Sequence, residues 1–121
     1  MVNMQTAYQY LFDIENTLRQ IVQEQMQQAY GQNWERVAPK LNKRTRKDLD
    51  TLHFHDLICW FRIYPPLETI FPPEFISELL SIVPIRNKIA HCHMLTEVEF
   101  IKLQKVHHSI MSTQTISPIA K

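Results

Sequence analysis

Residues 7–30, AYQYLFDIENTLRQIVQEQMQQAY, decide the fold class. Ala7, Leu11, Ile14, Leu18, Ile21, Val22 and Ala29 recur at steps of three and four, while Gln and Glu fill the face between them. That period belongs to an amphipathic helix. At 1.5 Å per residue, a helix of about 24 residues is about 36 Å long, enough to run the length of a small bundle. Gly31 follows directly and can take the left-handed conformation that closes a helix.

Gly31 is also the single glycine of the 121 residues, against seven prolines. The chain therefore has no GxGxxG turn and no phosphate-cradling P-loop, and few positions for the positive φ angles of tight β-hairpins. Helices that meet at proline-marked corners are expected, an all-α chain. Its length suits one domain, placed at residues 1–111, with 112–121 a tail or the start of a linker.

Three more helices follow by the same logic. The second runs from Phe54 to about Tyr64, apolar on almost every face, and stops because Pro65-Pro66 disfavours helical geometry in the residue before it. Leu67 to Phe71 adds one turn before Pro72-Pro73. The third helix opens at Pro73 and carries Phe75, Ile76, Leu79, Leu80, Ile82, Val83, Ile85, Ile89 and Ala90 to about Cys92, with a kink at Pro84. Thr96-Glu97-Val98-Glu99 has the form of a capping box and opens the fourth, whose apolar positions are Val98, Ile101, Leu103, Val106 and Ile110. From Ser112 the composition is that of turns and loops. Between the first two helices, Asn33 to Thr51 reads as a connector, with Trp34 exposed beside a basic run and Trp60 in the core.

Thirteen basic and twelve acidic residues leave a formal charge of +1, so nucleic acid or a membrane surface must be argued locally. The apolar runs fall far short of the roughly 20 residues that span a bilayer. Two cysteines, Cys59 and Cys92, with no apolar leader, point to reduced thiols and a cytoplasmic setting. His53, His55 and Cys59, or His91-Cys92-His93, lack the paired spacing of a zinc site, and Cys59 reads as a small buried apolar residue. No metal or other cofactor is expected.

Ile85-Arg86-Asn87-Lys88-Ile89-Ala90-His91 joins a fixed cation, a carboxamide and an imidazole, residue types suited to a phosphodiester. Asn87 and His91 share a helical face, whereas Arg86 points about 140° from His91 on a regular helix. Convergence on one phosphate needs the Pro84 kink, the reach of the Arg side chain, or a second copy of the helix across a two-fold axis.

Arg86-Asn87-Lys88-Ile89-Ala90-His91 resembles the signature of HEPN domains, the Arg-x4-6-His endoribonucleases of defence, toxin–antitoxin and RNA-processing systems. The aromatic-rich second helix, the Ile-Arg-Asn approach and the capped helix after Leu95 extend the resemblance over Ala7 to Met111. It implies an up-and-down four-helix bundle with short extra turns, a homodimer along the motif helices, and metal-independent cleavage of RNA. His91 would be the general base or acid, Arg86 would stabilise charge on the phosphate oxygens, and Asn87 would orient either. Weaker RNA contacts would come from Lys43, Arg44, Arg46, Lys47, Lys88 and His93. Some relatives under a nucleotidyltransferase partner carry a modifiable Tyr two residues after the His. Here that residue is His93, so a cognate antitoxin would act by binding rather than by modification. Fusion to an effector domain is a further expected arrangement.

Each feature also has a bland reading. Arg86 would salt-bridge locally, Asn87 would bond backbone, and His91 would meet the last helical carbonyls. The run from Lys43 to Lys47 would be a solvated loop rather than a phosphate-contacting one. The rival function is a non-catalytic HEPN adaptor that binds RNA or a protein partner.

Overall fold

In the computed structural model, which describes residues 1–37, 49 and 52–116, every regular element among the described residues is helical. The order is α1 (Met4–Tyr30), α2 (Trp34–Val37), α3 (Phe54–Ile63), α4 (Pro65–Glu68), α5 (Pro73–Ser81), α6 (Val83–Ala90) and α7 (Glu97–Ile116). The all-α reading holds. Among the described residues no helix is long and apolar enough to cross a membrane. The chain divides into two compact units, Met1–Thr17 with Glu78–Lys121, and Leu18–Ser77.

The unit Leu18–Ser77 is built on the second half of α1 and on α3. Leu18, Ile21, Val22 and Met26 are buried at helical spacing, as are Leu57, Ile58 and Phe61 of α3. Ala29 is exposed, so the buried stripe of α1 ends at Met26. Gly31 takes φ +89° and turns the chain, and the Trp34 N–H donates to its carbonyl at 3.1 Å. This turn corrects the expectation for Trp34, which is 2% exposed. Its ring meets Trp60 edge-on at 6.2 Å and its Nε1–H donates to Gln23 Oε1 at 3.3 Å, so both the apolar body and the polar tip are satisfied. Trp60 in turn packs edge-on to Tyr64 at 5.0 Å, and burial, with Tyr30 nearby, raises the Tyr64 hydroxyl's pKa. The helical turn expected at Leu67–Phe71 forms earlier, at Pro65–Glu68, because Pro at the first turn loses no helical hydrogen bond.

In the unit Met1–Thr17 with Glu78–Lys121, Ala7, Leu11 and Ile14 of α1 are buried, as are Leu79, Ile82, Ile85, Leu95, Leu103, Val106 and Ile110. Three expectations are corrected here. The third helix is two helices. Ile82, at φ −94° and ψ 0°, ends α5 and caps α6, which places Pro84 in the first turn of a new helix rather than inside a kinked one. The last helix does not stop at Met111 but continues to Ile116, and Thr113 Oγ1 donates to the Ser109 carbonyl at 3.0 Å, so a hydroxyl of this polar segment is satisfied within the helix. Val98 and Ile101 face solvent at 77% and 47% exposure, so the buried stripe of α7 begins at Leu103.

α1 and α7 are joined by polar contacts along this stripe. His107 Nε2 lies 2.9 Å from Asp13 Oδ2, the His107 ring lies tilted against that of Tyr10 with centroids 4.5 Å apart, and Gln104 Nε2 donates to the Tyr10 hydroxyl at 3.2 Å. Gly31 makes a clean test of the turn that ends α1, because a Cβ there meets nothing within 4 Å and only backbone conformation opposes it. Gly31→Ala is expected to lower stability by about 1–2 kcal/mol, read from urea unfolding followed by circular dichroism.

Candidate functional site

The motif lies on α6 and the turn after it. Since α6 restarts at Val83, Arg86 sits in its first half, and its N–H donates to the Ile82 carbonyl at 2.9 Å. Buried Ile85, beside it, anchors the helix in the core. The Arg86 side chain is half-buried and its Nε lies 3.6 Å from Glu15 Oε1 on α1. Asn87 is exposed.

The end of α6 is closed by backbone alone. His91 is the C-cap, with its N–H to the Asn87 carbonyl at 3.1 Å; the Cys92 N–H reaches Ile89 at 3.0 Å and the His93 N–H reaches Lys88 at 2.8 Å. These last two bonds are those of a Schellman motif. Its left-handed residue, a position that usually holds Gly, is Cys92 at φ +60°. The expected run to about Cys92 is therefore corrected: α6 stops at Ala90, although no glycine marks the stop.

Backbone closure leaves the imidazole of His91 outside the helix's own bonding. The residue is exposed, and among the described residues no hydrogen bond or ion pair engages its ring, which lies 6.3 Å from that of His93, also exposed. Among the described residues no hydrogen bond or ion pair joins the Arg86 and His91 side chains, and Arg86 turns to Glu15 instead. One chain thus displays Arg86 and His91 as separate groups, one within α6 and the other at its C-cap.

The turn that carries His91 and His93 is held at both ends. After it, Leu95 is buried and the Thr96-Glu99 capping box forms as read: the Thr96 N–H donates to Glu99 Oε1 at 2.8 Å and the Glu99 N–H to Thr96 Oγ1 at 3.2 Å. Before it, Lys88 lies with its Nζ 3.0 Å from Glu99 Oε1 and 2.9 Å from Oε2. Glu99 therefore caps α7 and ties it to α6 at once. The Thr96 N–H, then Lys88, hold its carboxyl below the ordinary glutamate range. Lys88, expected on RNA, is engaged here in an internal pair.

Other sequence candidates fall elsewhere. Lys43, Arg44, Arg46 and Lys47 lie outside the described residues. Cys59 is half-buried rather than buried, with its Sγ 3.9 Å from the ring of His55, and burial, then Asp56, raises its thiol's pKa. Among the described residues no group of three or more His, Cys, Asp or Glu side chains is placed to hold a metal ion. Glu15 is the site residue that motif reading missed, since nothing in its local sequence marks it and only the fold brings it to Arg86.

Two substitutions test this scaffold. Cys92→Gly is expected to raise stability by about 0.5–1 kcal/mol, the relief of about 1–2 kcal/mol of left-handed strain less the entropy cost of a glycine, while Cys92→Ala is neutral. Glu99→Gln keeps an amide for the cap and loses the charge facing Lys88, an expected cost of about 0.5–1 kcal/mol at neutral pH. Because the folded carboxyl is the more acidic, this difference from wild type is full above the ordinary glutamate range and fades as pH falls through the lowered folded value. Urea unfolding across that range reads both effects.

No protein-family model matches the chain, nor does a comparison with curated proteins or with solved structures find a relative. What the site does must be argued from its own residues.

Proposed function

We propose that the chain is a metal-independent endoribonuclease of the HEPN type, acting as a homodimer whose two motif helices line one groove. The observation that carries this reading is the state of His91. A histidine kept for structure would close the helix with its ring, yet backbone N–H groups close α6 and the ring stands in solvent on a braced turn. A braced and unengaged imidazole suits proton transfer, which demands a side chain held in place but free to meet a substrate.

In this reading the 2′-hydroxyl of a ribose attacks the adjacent phosphorus. His91 of one copy takes the hydroxyl proton as the P–O2′ bond forms. The P–O5′ bond breaks and the 5′-oxygen takes a proton from His91 of the other copy. The products are a 2′,3′-cyclic phosphate and a 5′-hydroxyl. Arg86 meets the non-bridging oxygens through its planar fork, and exposed Asn87 is available to hydrogen-bond the phosphate or the ribose. Two copies also answer the geometry of a single chain, in which Arg86 and His91 have separate surroundings.

The test is cleavage of single-stranded RNA by the purified chain in the presence of chelator. Wild type is expected to produce 2′,3′-cyclic termini and to spare DNA of the same sequence, and His91→Ala to lose at least about a hundredfold in rate with its helical circular dichroism unchanged. Cleavage undiminished in His91→Ala overturns the assignment. Binding of RNA with no cyclic product identifies an adaptor instead.

A further inference from the structure

We propose that Glu15 is the positioning residue of the RNA site, holding the Arg86 guanidinium by its inner nitrogen so that its outer edge meets the phosphate. This rests on the endoribonuclease reading of Arg86 and His91. Glu15 and Arg86 lie beside Ile14 and Ile85, both buried, so both side chains leave backbone that the core fixes in place. Their ion pair is half-buried, with side chains 23% and 33% exposed. It is recorded at Nε, the inner nitrogen of the guanidinium, whose two terminal nitrogens form the end-on edge of the fork.

The length of this pair matters. At 3.6 Å it exceeds the 2.7–2.9 Å typical of a charge-assisted hydrogen bond, so Glu15 tethers Arg86 by charge without locking it. An Arg side chain carries many rotamers, and a carboxylate behind it narrows them before substrate arrives. The same carboxylate is a negative charge near the place where a phosphate must bind. Glu15 therefore acts in two opposed directions: it repels the substrate in the ground state and orients the cation that serves the transition state.

That opposition separates a positioning role from a merely structural one. Glu15→Gln removes the charge at almost constant shape. Its affinity for a 2′-O-methyl oligoribonucleotide, which no 2′-hydroxyl chemistry can cleave, is expected to rise about three- to fivefold, while kcat on ordinary RNA falls about tenfold. Glu15→Asp is expected to recover part of kcat, and Arg86→Ala to weaken oligonucleotide binding. A structural role would lower affinity and kcat together. Unchanged or weaker 2′-O-methyl RNA binding by Glu15→Gln overturns the inference, whether or not the protein cuts RNA. So does undiminished binding by Arg86→Ala. If the binding measurements come out as expected but wild type yields no cyclic phosphate, the endoribonuclease reading falls and Glu15 keeps its place in an RNA-binding site. Should Glu15→Gln fail to fold, Glu15→Asp carries the same comparison, with affinity unchanged and kcat reduced.

Discussion

Glu99 is the side chain on which the presentation of the motif depends. One carboxylate accepts the Thr96 N–H at the head of α7 and meets Lys88 within α6 through both oxygens. The segment between these anchors, from His91 to Met94, is exposed, and Leu95 plugs its far end into the core. An exposed turn of this kind would ordinarily be free to fray, since it buries little apolar area of its own. Here the Schellman bonds close it on one side and the capping box on the other. The same lysine whose side chain pairs with Glu99 supplies the carbonyl for the His93 N–H, so the helix end and the interhelical clamp share a residue.

Proline and the near-absence of glycine explain why the site is built from side chains. A chain with one glycine has little means of laying a backbone cradle around a phosphate, which needs close approach and positive φ. The chain changes direction at Ile82 instead. The break there lets α6 restart as a separate helix, with Pro84 in its first turn, where the missing N–H costs nothing. Among the described residues, the positive φ beyond Gly31 falls on Cys92, a side-chain-bearing residue in a place that favours glycine. Strain of this kind persists only where surrounding bonds over-determine it, and the Ile89 and Lys88 carbonyls supply those bonds.

What the sequence revealed follows the range of the interactions involved. The Gly31 stop, the end of α3 before Pro65-Pro66 and the Thr96-Glu99 box are local, each decided within a few residues, and all three were legible. The split at Ile82 was not, because apolar residues keep the helical period straight through the break and Pro84 is equally at home in a kink or a first turn. The stop at Ala90 escaped for want of a glycine. Trp34 was misread because its neighbours in sequence are polar while its neighbours in space are Gln23 and Trp60. The site divides the same way: Arg86, Asn87 and His91 were visible as a spacing, but the partners that orient the turn and the guanidinium, Glu99 through Lys88 and Glu15 through Arg86, depend on contacts between helices.

Those contacts change what a charge of +1 means for a protein proposed to act on RNA. The two cations of the motif are each matched to a carboxylate, Arg86 to Glu15 and Lys88 to Glu99, so their fields are largely cancelled at a distance. Paired cations contribute little to long-range steering or to the counterion release that drives non-specific nucleic-acid binding. On the proposed reading they contribute geometry instead, because a guanidinium already aimed would lose less freedom when substrate arrives. A site assembled in this way gains little from raw attraction and much from orientation. On the endoribonuclease reading proposed above, selectivity would rest on a phosphodiester with a neighbouring 2′-hydroxyl reaching His91 and Arg86 together, and near-neutral charge would suit that demand by disfavouring a polyanion held in an unproductive register.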